Sequence, residues 1–225
     1  MSRMRAAPDP RPARRRSGRA STVLASAVLL ALLLGAQALR IHDDEDRTAP
    51  IEASGAASEP VDARSFTVEV VDVAFARSVY DESGFSFGGD EADAGAADGA
   101  VEANGVWVVV TADITAAERT LERVEAELET GEGTTYGSSG VSMNALGSIG
   151  DAFSPGIPRR GAVVFELPPE RLASPSVRFN VFSGLDRRLS GSALVDLELS
   201  GSELKKAVDG AEEAVAVPQS EIRKA

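Results

Sequence analysis

The sequence predicts an all-β fold: an immunoglobulin-like antiparallel β-sandwich of about seven strands, preceded by one transmembrane helix. First, apolar and polar residues alternate with a period of two in several short segments between residues 65 and 200, which is typical of half-buried strands. Second, turn-forming residues separate these segments and no strong helical periodicity interrupts them, which favours a sandwich of two sheets. Third, an uncharged apolar run occupies residues 21–39.

The charge distribution divides the chain into two opposed parts. The 225 residues hold 23 Lys+Arg and 35 Asp+Glu, a formal net charge of −12, with one His and no Cys. Residues 1–20 hold seven Arg and one Asp, a net of +6, whereas the other residues hold 16 basic and 34 acidic groups, a net of −18. The acidic balance argues against nucleic acid as a partner, because phosphate binding needs clustered Lys and Arg. The missing Cys excludes disulfides, Cys-based metal sites and thiol catalysis.

The apolar run over residues 21–39 predicts a transmembrane signal-anchor helix. Nineteen residues at ~1.5 Å rise give roughly 28 Å, close to the ~30 Å hydrocarbon core of a bilayer. Arg14, Arg15, Arg16 and Arg19 precede the run, and basic residues beside a first span stay on the cytoplasmic side. Residues 1–20 are therefore expected to be a disordered cytoplasmic arm, with the rest of the chain extracellular at the cell membrane.

A cleaved secretory signal is the alternative interpretation of the same run. The basic lead, the apolar centre and the small-x-small sequence Ala36-Gln37-Ala38 fit a signal peptide. Cleavage after Ala38 would release a secreted soluble form. The retained anchor is favoured because the run is longer than the usual apolar centre of a signal, and both interpretations place the remaining chain outside the cytoplasm.

Residues 40–64 are predicted to form an acidic disordered stalk. The segment is polar, contains two prolines and carries seven acids, so it offers little apolar surface to offset chain entropy. The predicted sandwich then covers residues 65–200. Residues 201–225 are expected to be a C-terminal tail with either a short helix over 203–215 or an edge strand over 215–217, and the sequence does not decide between them.

Two segments carry the most informative strand patterns. Apolar residues occupy even positions from Phe66 to Val70 and odd positions from Val71 to Phe75, a parity switch that a β-bulge produces. The continuous run Val106–Val110 predicts a central strand buried on both faces, with Trp107 in the core rather than on a binding surface. The other predicted strands are 124–129, 135–136, 161–167, 177–181 and 193–199, with long loops over 79–104 and 137–153.

Four features together resemble a bacterial family: the bulged first strand, the segment GVWVVV at 105–110, the hairpin to Tyr136, and PGIPRRGAVVFELP at 155–168. They resemble the telokin-like immunoglobulin-fold domains of unknown function found on lipoproteins and membrane-anchored extracellular proteins. The resemblance covers residues 65–200 and implies a fold and a cell-surface location, but no reaction. The acidic insertion at 79–104 and the missing lipobox Cys depart from it. The excess of Arg over Lys, 20 to 3, is typical of a GC-rich genome such as an actinobacterium's.

No catalytic residue, cofactor-binding residue or metal site is predicted, and the chain is not expected to be an enzyme. The only imidazole, His42, lies in the predicted stalk, away from any candidate nucleophile. Weak calcium candidates occur in the acidic loop, but their spacing matches neither an EF-hand nor a nonapeptide calcium repeat, so a solvated loop is favoured. These candidates are Asp90, Glu91, Asp93 and Asp98.

Two basic pairs, Arg159-Arg160 and Arg187-Arg188, are expected to lie on turns as solvated charges rather than as contacts for a partner. The resulting hypothesis is an anchored extracellular module that binds or scaffolds an unknown extracellular protein or cell-wall component at the cell surface. The alternatives are the secreted form and an extracellular hydrolase that uses paired carboxylates.

Overall fold

A computed structural model describes residues 18–82, 99–140, 145–147, 150 and 152–223. The chain divides into two compact units, Met1–Thr48 and Ala49–Ala225. In the first unit, helix α1 covers Gly18–Thr48 and includes the whole apolar run. Within the described part of the chain, no helix is both long enough and apolar enough to cross a membrane. Residues 21–39 are therefore helical, as predicted, but their assignment as a transmembrane span is not supported.

The second unit is a β-sandwich, as predicted. One sheet has the strand order β1-β9-β8-β5-β6, and the other has the order β10-β3-β4-β7-β11 with β2 also paired to β3. The elements are β1 (Ile51–Ala56), β2 (Val61–Asp62), β3 (Phe66–Asp81), β4 (Val101–Ala116), β5 (Arg123–Glu129), β6 (Thr135–Gly137), β7 (Arg159–Leu167), β8 (Ser176–Phe182), β9 (Gly191–Asp196), α2 (Gly201–Asp209), β10 (Glu212–Val217) and β11 (Glu221–Ile222).

The seven predicted strands correspond to β3 through β9, and the pairs among them are antiparallel. Two pairs at the sheet margins differ, because β1 lies parallel to β9 and β10 lies parallel to β3. Parallel neighbours need a long connection, and here the two strands of each parallel pair are more than 100 residues apart. The antiparallel arrangement is therefore confirmed among the strands predicted within residues 65–200, and the two parallel pairs add β1 and β10, which lie outside that range.

Strand β4 is the central strand of its sheet and is buried on both faces, as its apolar run predicts. Val108 and Val110 face the main core between the sheets, whereas Trp107 and Val109 belong to a second apolar cluster on the other face. Trp107 is 1% exposed, and its indole N–H donates to the carbonyl oxygen of Val101 at 3.0 Å. Its assignment to the core is confirmed, with its one polar atom satisfied.

The predicted β-bulge is present in β3. Val70 pairs with Ala112, and the next pair joins Asp72 to Thr111, so Val71 has no partner on β4. The extra residue reverses the parity of the strand, which keeps the apolar residues on both sides of the bulge directed into the core.

The structure corrects the prediction of a disordered stalk over residues 40–64. Helix α1 continues to Thr48, and both β1 and β2 belong to the sandwich. Strand β1 pairs with β9 along six residues, and Glu52 forms an ion pair with Arg178 on β8. Strand β1 lies at the edge of its sheet and is held by backbone hydrogen bonds to a single neighbour. Because these bonds do not require apolar side chains, the polar composition of the segment did not indicate a strand.

The C-terminal tail contains both elements between which the sequence did not decide. Helix α2 ends at Asp209, with Leu204 buried against the core. Strand β10 then runs beside β3 and buries Val217 completely. The tail therefore completes the sandwich.

Candidate functional site

The four calcium candidates of the acidic loop lie outside the described residues: Asp90, Glu91, Asp93 and Asp98. Across the described ranges, no group of three or more His, Asp or Glu side chains is placed to hold a metal ion. The calcium site in the loop thus stays a prediction.

The basic pairs identified in the sequence make contacts within the domain. Arg159 and Arg160 begin strand β7 and do not lie on the predicted turn. The Arg160 guanidinium donates to both carboxylate oxygens of Asp113, at 2.8 and 2.6 Å. These hydrogen bonds and the charge of Asp113 raise the pKa of Arg160 despite partial burial. Because Asp113 lies directly opposite on β4, the pair fixes the register of two strands.

The second basic pair lies in the connection between β8 and β9. Arg187 donates to Glu125 on β5 at 3.0 Å, which fastens the connection to the outer face of its sheet. Arg188 donates to Asp186 in a bidentate contact, and this hydrogen bonding lowers the pKa of Asp186 to about 2. Both arginines therefore have acidic partners inside the domain, which leaves them poorly suited to a new anion.

Several concave sites occur on the described surface of the sandwich, and one of them is a cavity of about 530 Å³ beside the C-terminal strands. It is lined by two carboxylates, Glu82 directly after β3 and Glu221 on β11, and by Arg160 on β7. Glu82 accepts a hydrogen bond from the Gln219 backbone at 3.4 Å, and Glu221 accepts one from Arg223 at 3.0 Å. Each carboxylate therefore already accepts a hydrogen bond from within the domain, Glu82 from a residue distant in the chain and Glu221 from one two positions away.

A second site is a groove of about 460 Å³ between helix α2 and the segment 169–174. Its apolar lining includes Leu172 and Val208, with Glu170 and Lys205 at its rim. Gly131 donates its backbone N–H to Ala173, so this groove lies at the end of the sandwich where β5 turns into β6. The groove is apolar and has both charge signs at its edge, which gives it no preference for an ion of either sign.

The third site is a small cavity of about 110 Å³ at the opposite end of the sandwich, named here the arginine cavity. Three connections and the start of β1 meet there. Its residues are Ile51, Arg64, Ser65, Arg119, Leu121, Val181, Phe182, Leu189, Ser190 and Gly191. It combines two arginines, two serines and several apolar residues.

Short-range backbone contacts place both arginines at this cavity. Arg64 has a φ of +66° in the tight turn between β2 and β3, where its N–H donates to Asp62 at 2.9 Å. The backbone carbonyl oxygen of the next residue, Ser65, accepts a hydrogen bond from the Ala117 N–H at 2.9 Å. That bond brings the β4–β5 connection, which carries Arg119, beside the turn that carries Arg64.

Three polar side chains of the arginine cavity, those of Arg64, Ser65 and Arg119, are not used in ion pairs or hydrogen bonds among the described residues, whereas the Ser190 hydroxyl donates to Arg187. Arg64 and Arg119 are both exposed, and neither forms an ion pair with any described residue. The Ser65 hydroxyl oxygen is buried and has no hydrogen-bond partner among the described residues. A buried hydroxyl of this kind is uncommon in folded proteins and indicates a place where a bound group would gain a hydrogen bond.

Sequence reasoning missed this cavity because its arginines are far apart in the chain and neither is part of a motif. Arg64 lies in the segment predicted to be a stalk. Arg119 lies after a predicted strand, in a connection whose sequence indicates no binding site. The available signal was topological: in a sandwich, connections at the same end of the strands lie close together. Using that signal required the pairing of β2 with β3, which the sequence did not reveal.

Comparison with protein-family models gives no match, and comparison with curated proteins gives none. Two solved structures are similar. One is an uncharacterised β-sandwich protein from Clostridium difficile 630, with 13% identity and a TM-score of 0.40 over 66% of this chain and 96% of that chain. The other is MPT63, a secreted protein from Mycobacterium tuberculosis, with 14% identity and a TM-score of 0.35 over 65% of this chain and 97% of that chain.

Proposed function

We propose that the chain is an exported binding module, with a β-sandwich that recognises a molecule outside the cytoplasm and catalyses no reaction. Export is supported by the uncharged run over residues 21–39 with its preceding arginines. A non-enzymatic role is supported by the absence of Cys and by the position of the only imidazole, His42, in the unit that precedes the sandwich.

One observation carries the binding role. Residues 49–225 contain 14 basic against 30 acidic side chains, yet Arg64 and Arg119 form no ion pair with a described residue. They lie at one cavity, where three connections of the sandwich meet. Connections at the end of a β-sandwich are a common place for recognition, because they vary freely on a rigid framework.

Site-specific crosslinking on intact cells tests the binding role. A photo-crosslinking residue at Leu189, which is 60% exposed at the arginine cavity, is expected to capture a partner. The matched control places the same group at Thr134, an exposed position in the β5–β6 turn at the other end of the sandwich. Capture of the same species from both positions, or of none from Leu189, would contradict binding at the cavity.

Cysteine labelling tests the location, because the native chain has no Cys and a single introduced thiol is the only target. Ser138→Cys is expected to react with a membrane-impermeant maleimide on intact cells or in the medium. Ser17→Cys is expected to react only after lysis if the anchor is retained. A mature chain that begins at Leu39 would identify the secreted form, and protection of Ser138→Cys in intact cells would exclude export.

The hydrolase alternative has one observation in its favour, the pair Glu82 and Glu221 at the 530 Å³ cavity. Hydrolysis by two carboxylates requires one to act as an acid and the other as a base or nucleophile. The alternative therefore predicts that purified protein hydrolyses members of a glycoside and peptide panel, and that Glu82→Gln and Glu221→Gln each abolish it. A panel without activity above that of the double variant removes this alternative.

A further inference from the structure

We propose that the arginine cavity binds a carboxylate group that carries a short aliphatic substituent. The inference rests on the proposed binding role and names the class of ligand for that site. The shared chemistry has two sources, a free small organic acid and the C-terminal carboxylate of a peptide that ends in an aliphatic residue. Both present a planar anion beside a small apolar group.

The charge of the ligand follows from the guanidinium groups. Arg64 and Arg119 approach the cavity from different connections of the sandwich, and no described residue forms an ion pair with either. A guanidinium offers two parallel N–H groups that match the two oxygens of a carboxylate, and such charge-assisted bonds are about twice as strong as neutral ones. Asp62, the acid nearest to Arg64 in the chain, already accepts the Arg64 backbone N–H.

The Ser65 hydroxyl adds a hydrogen bond that the domain itself does not use. Its oxygen is buried, has no partner among the described residues and lies at the wall of the cavity. A hydroxyl can donate one proton, so a carboxylate oxygen would complete its hydrogen bonding. Forming that bond removes the cost of a buried polar group without a partner, which favours the bound state.

The size and lining of the cavity determine the rest of the ligand. A volume of about 110 Å³ corresponds to roughly four water molecules at about 30 Å³ each. Ile51 and Leu189 line the cavity with exposed apolar side chains, 39% and 60% exposed, and Leu121, Val181 and Phe182 are buried beside them. A carboxylate with a three- or four-carbon aliphatic group would cover the exposed side chains of Ile51 and Leu189, whereas an isolated inorganic anion would leave them in contact with water.

Calorimetric titration of the full chain in a neutral detergent tests the proposal with isobutyrate as the probe. Isobutyrate is expected to bind, and isobutyramide, which has the same shape without the charge, is expected not to bind. The Arg64→Gln/Arg119→Gln double variant should raise the Kd for isobutyrate at least about tenfold, because the charge-assisted bonds are lost. Arg77→Gln, an exposed arginine of β3 without an ion pair to any described residue, is the matched control and should leave the Kd unchanged.

A second arm distinguishes the two sources of the carboxylate. Ala-Ala-Ala-Val with a free carboxylate and the same peptide with an amide end are titrated in parallel. Tighter binding of the free peptide than of isobutyrate identifies a peptide end, whereas weaker binding of the peptide identifies a small free acid. Ser65→Ala, which retains both arginines, should weaken whichever ligand binds.

Three outcomes would overturn the proposal: no binding of either carboxylate probe, equal binding of the amide and the acid, and an unchanged Kd in the double variant. Thermal unfolding of each variant, with a melting temperature close to that of the parent, shows that a loss of binding is not a loss of the fold. The titration uses purified protein, so its failure is distinguishable from a failure of export, which the cysteine labelling measures in cells.

Discussion

At the residue scale, Gly191 determines how closely the first sheet approaches the turn between β2 and β3. A Cβ atom at this position would overlap the carbonyl oxygen of Ala63 and the hydroxyl of Ser65. Because backbone is involved, the overlap cannot be relieved by a change of rotamer alone. The same close approach forms one wall of the arginine cavity, so packing and the candidate site depend on one residue.

Replacing Gly191 with Ala is expected to lower the free energy of unfolding by about 2 kcal/mol, the usual cost of overpacking a tight site. Gly137→Ala is the matched control, because Gly137 also lies in a strand and a Cβ there would meet no atom within 4 Å. Urea denaturation of both variants measures the difference. Equal stability of the two variants would show that the residues around Gly191 move aside for a Cβ atom without strain.

The Asp186–Arg188 pair gives a prediction about titration. Hydrogen bonds from the Arg188 guanidinium and backbone hold the pKa of Asp186 at about 2. The pKa is lowered on folding, so the pair favours the folded connection above pH about 4, and this contribution is lost as the pH falls toward 2. Carboxyl NMR titration should find the low value and its return toward the usual range in Arg188→Gln. An unchanged value in that variant would assign the shift to another cause.

At the element scale, the bulge in β3 allows a test by deletion. Removing Val71 should leave Val70 opposite Ala112 and Asp72 opposite Thr111 in a ladder that is regular at this point, with Val68 and Phe75 still facing the main core. Deleting Val71 is therefore expected to change the free energy of unfolding by no more than about 2 kcal/mol. Circular dichroism during thermal unfolding measures this.

Deletion of Val109 in β4 is the contrasting control. That strand has no bulge at this position, so the deletion would turn the residues on one side of it to the opposite face and direct core side chains outward. We expect no cooperative unfolding transition from this variant. If both deletions are tolerated, or both abolish the transition, the extra residue Val71 does not determine which side chains of β3 face the core.

Strands with alternating apolar residues could be predicted from the sequence, and those without them could not. Phe66 to Phe75 revealed both a strand and its bulge, because inward and outward side chains differ in polarity. Strand β1 has the sequence IEASGA, and its small or polar side chains carry no such contrast. Its position depends on backbone pairing with β9 and on the Glu52–Arg178 ion pair, both of which require knowledge of distant residues.

The candidate site was less predictable than the fold for a related physical reason. The arginine cavity joins the turn before β3, the connection after β4 and the end of the connection before β9. Each contributes one or two side chains, and none has a spacing that indicates chemistry. The calcium hypothesis was based on residues 79–104 because acidic residues are concentrated there. The cavity depends instead on two isolated arginines, and the overall acidic composition does not indicate them.

At the scale of the whole molecule, the excess of acidic residues affects the stability of the folded sandwich. Residues 49–225 carry 14 basic and 30 acidic groups, a net charge of −16. Several of the described ion pairs are exposed, such as Arg171–Glu132 and Arg187–Glu125, and exposed pairs contribute little to stability. Repulsion among the unpaired acids is therefore expected to outweigh attraction within the pairs at low ionic strength.

Raising the NaCl concentration from 0.01 to 0.15 M should consequently stabilise the domain. The screening length falls from about 30 Å to about 8 Å, which weakens repulsion between distant acids more than it weakens pairs in contact. A gain of about 1 kcal/mol would raise the melting temperature by about 2–4 °C for a domain of this size. Repeating the series with choline chloride and a chelator separates screening from cation binding, since only screening survives that exchange. A melting temperature that falls with salt would mean that the ion pairs, including Arg160–Asp113 and Arg178–Glu129, dominate the electrostatic free energy of the sandwich.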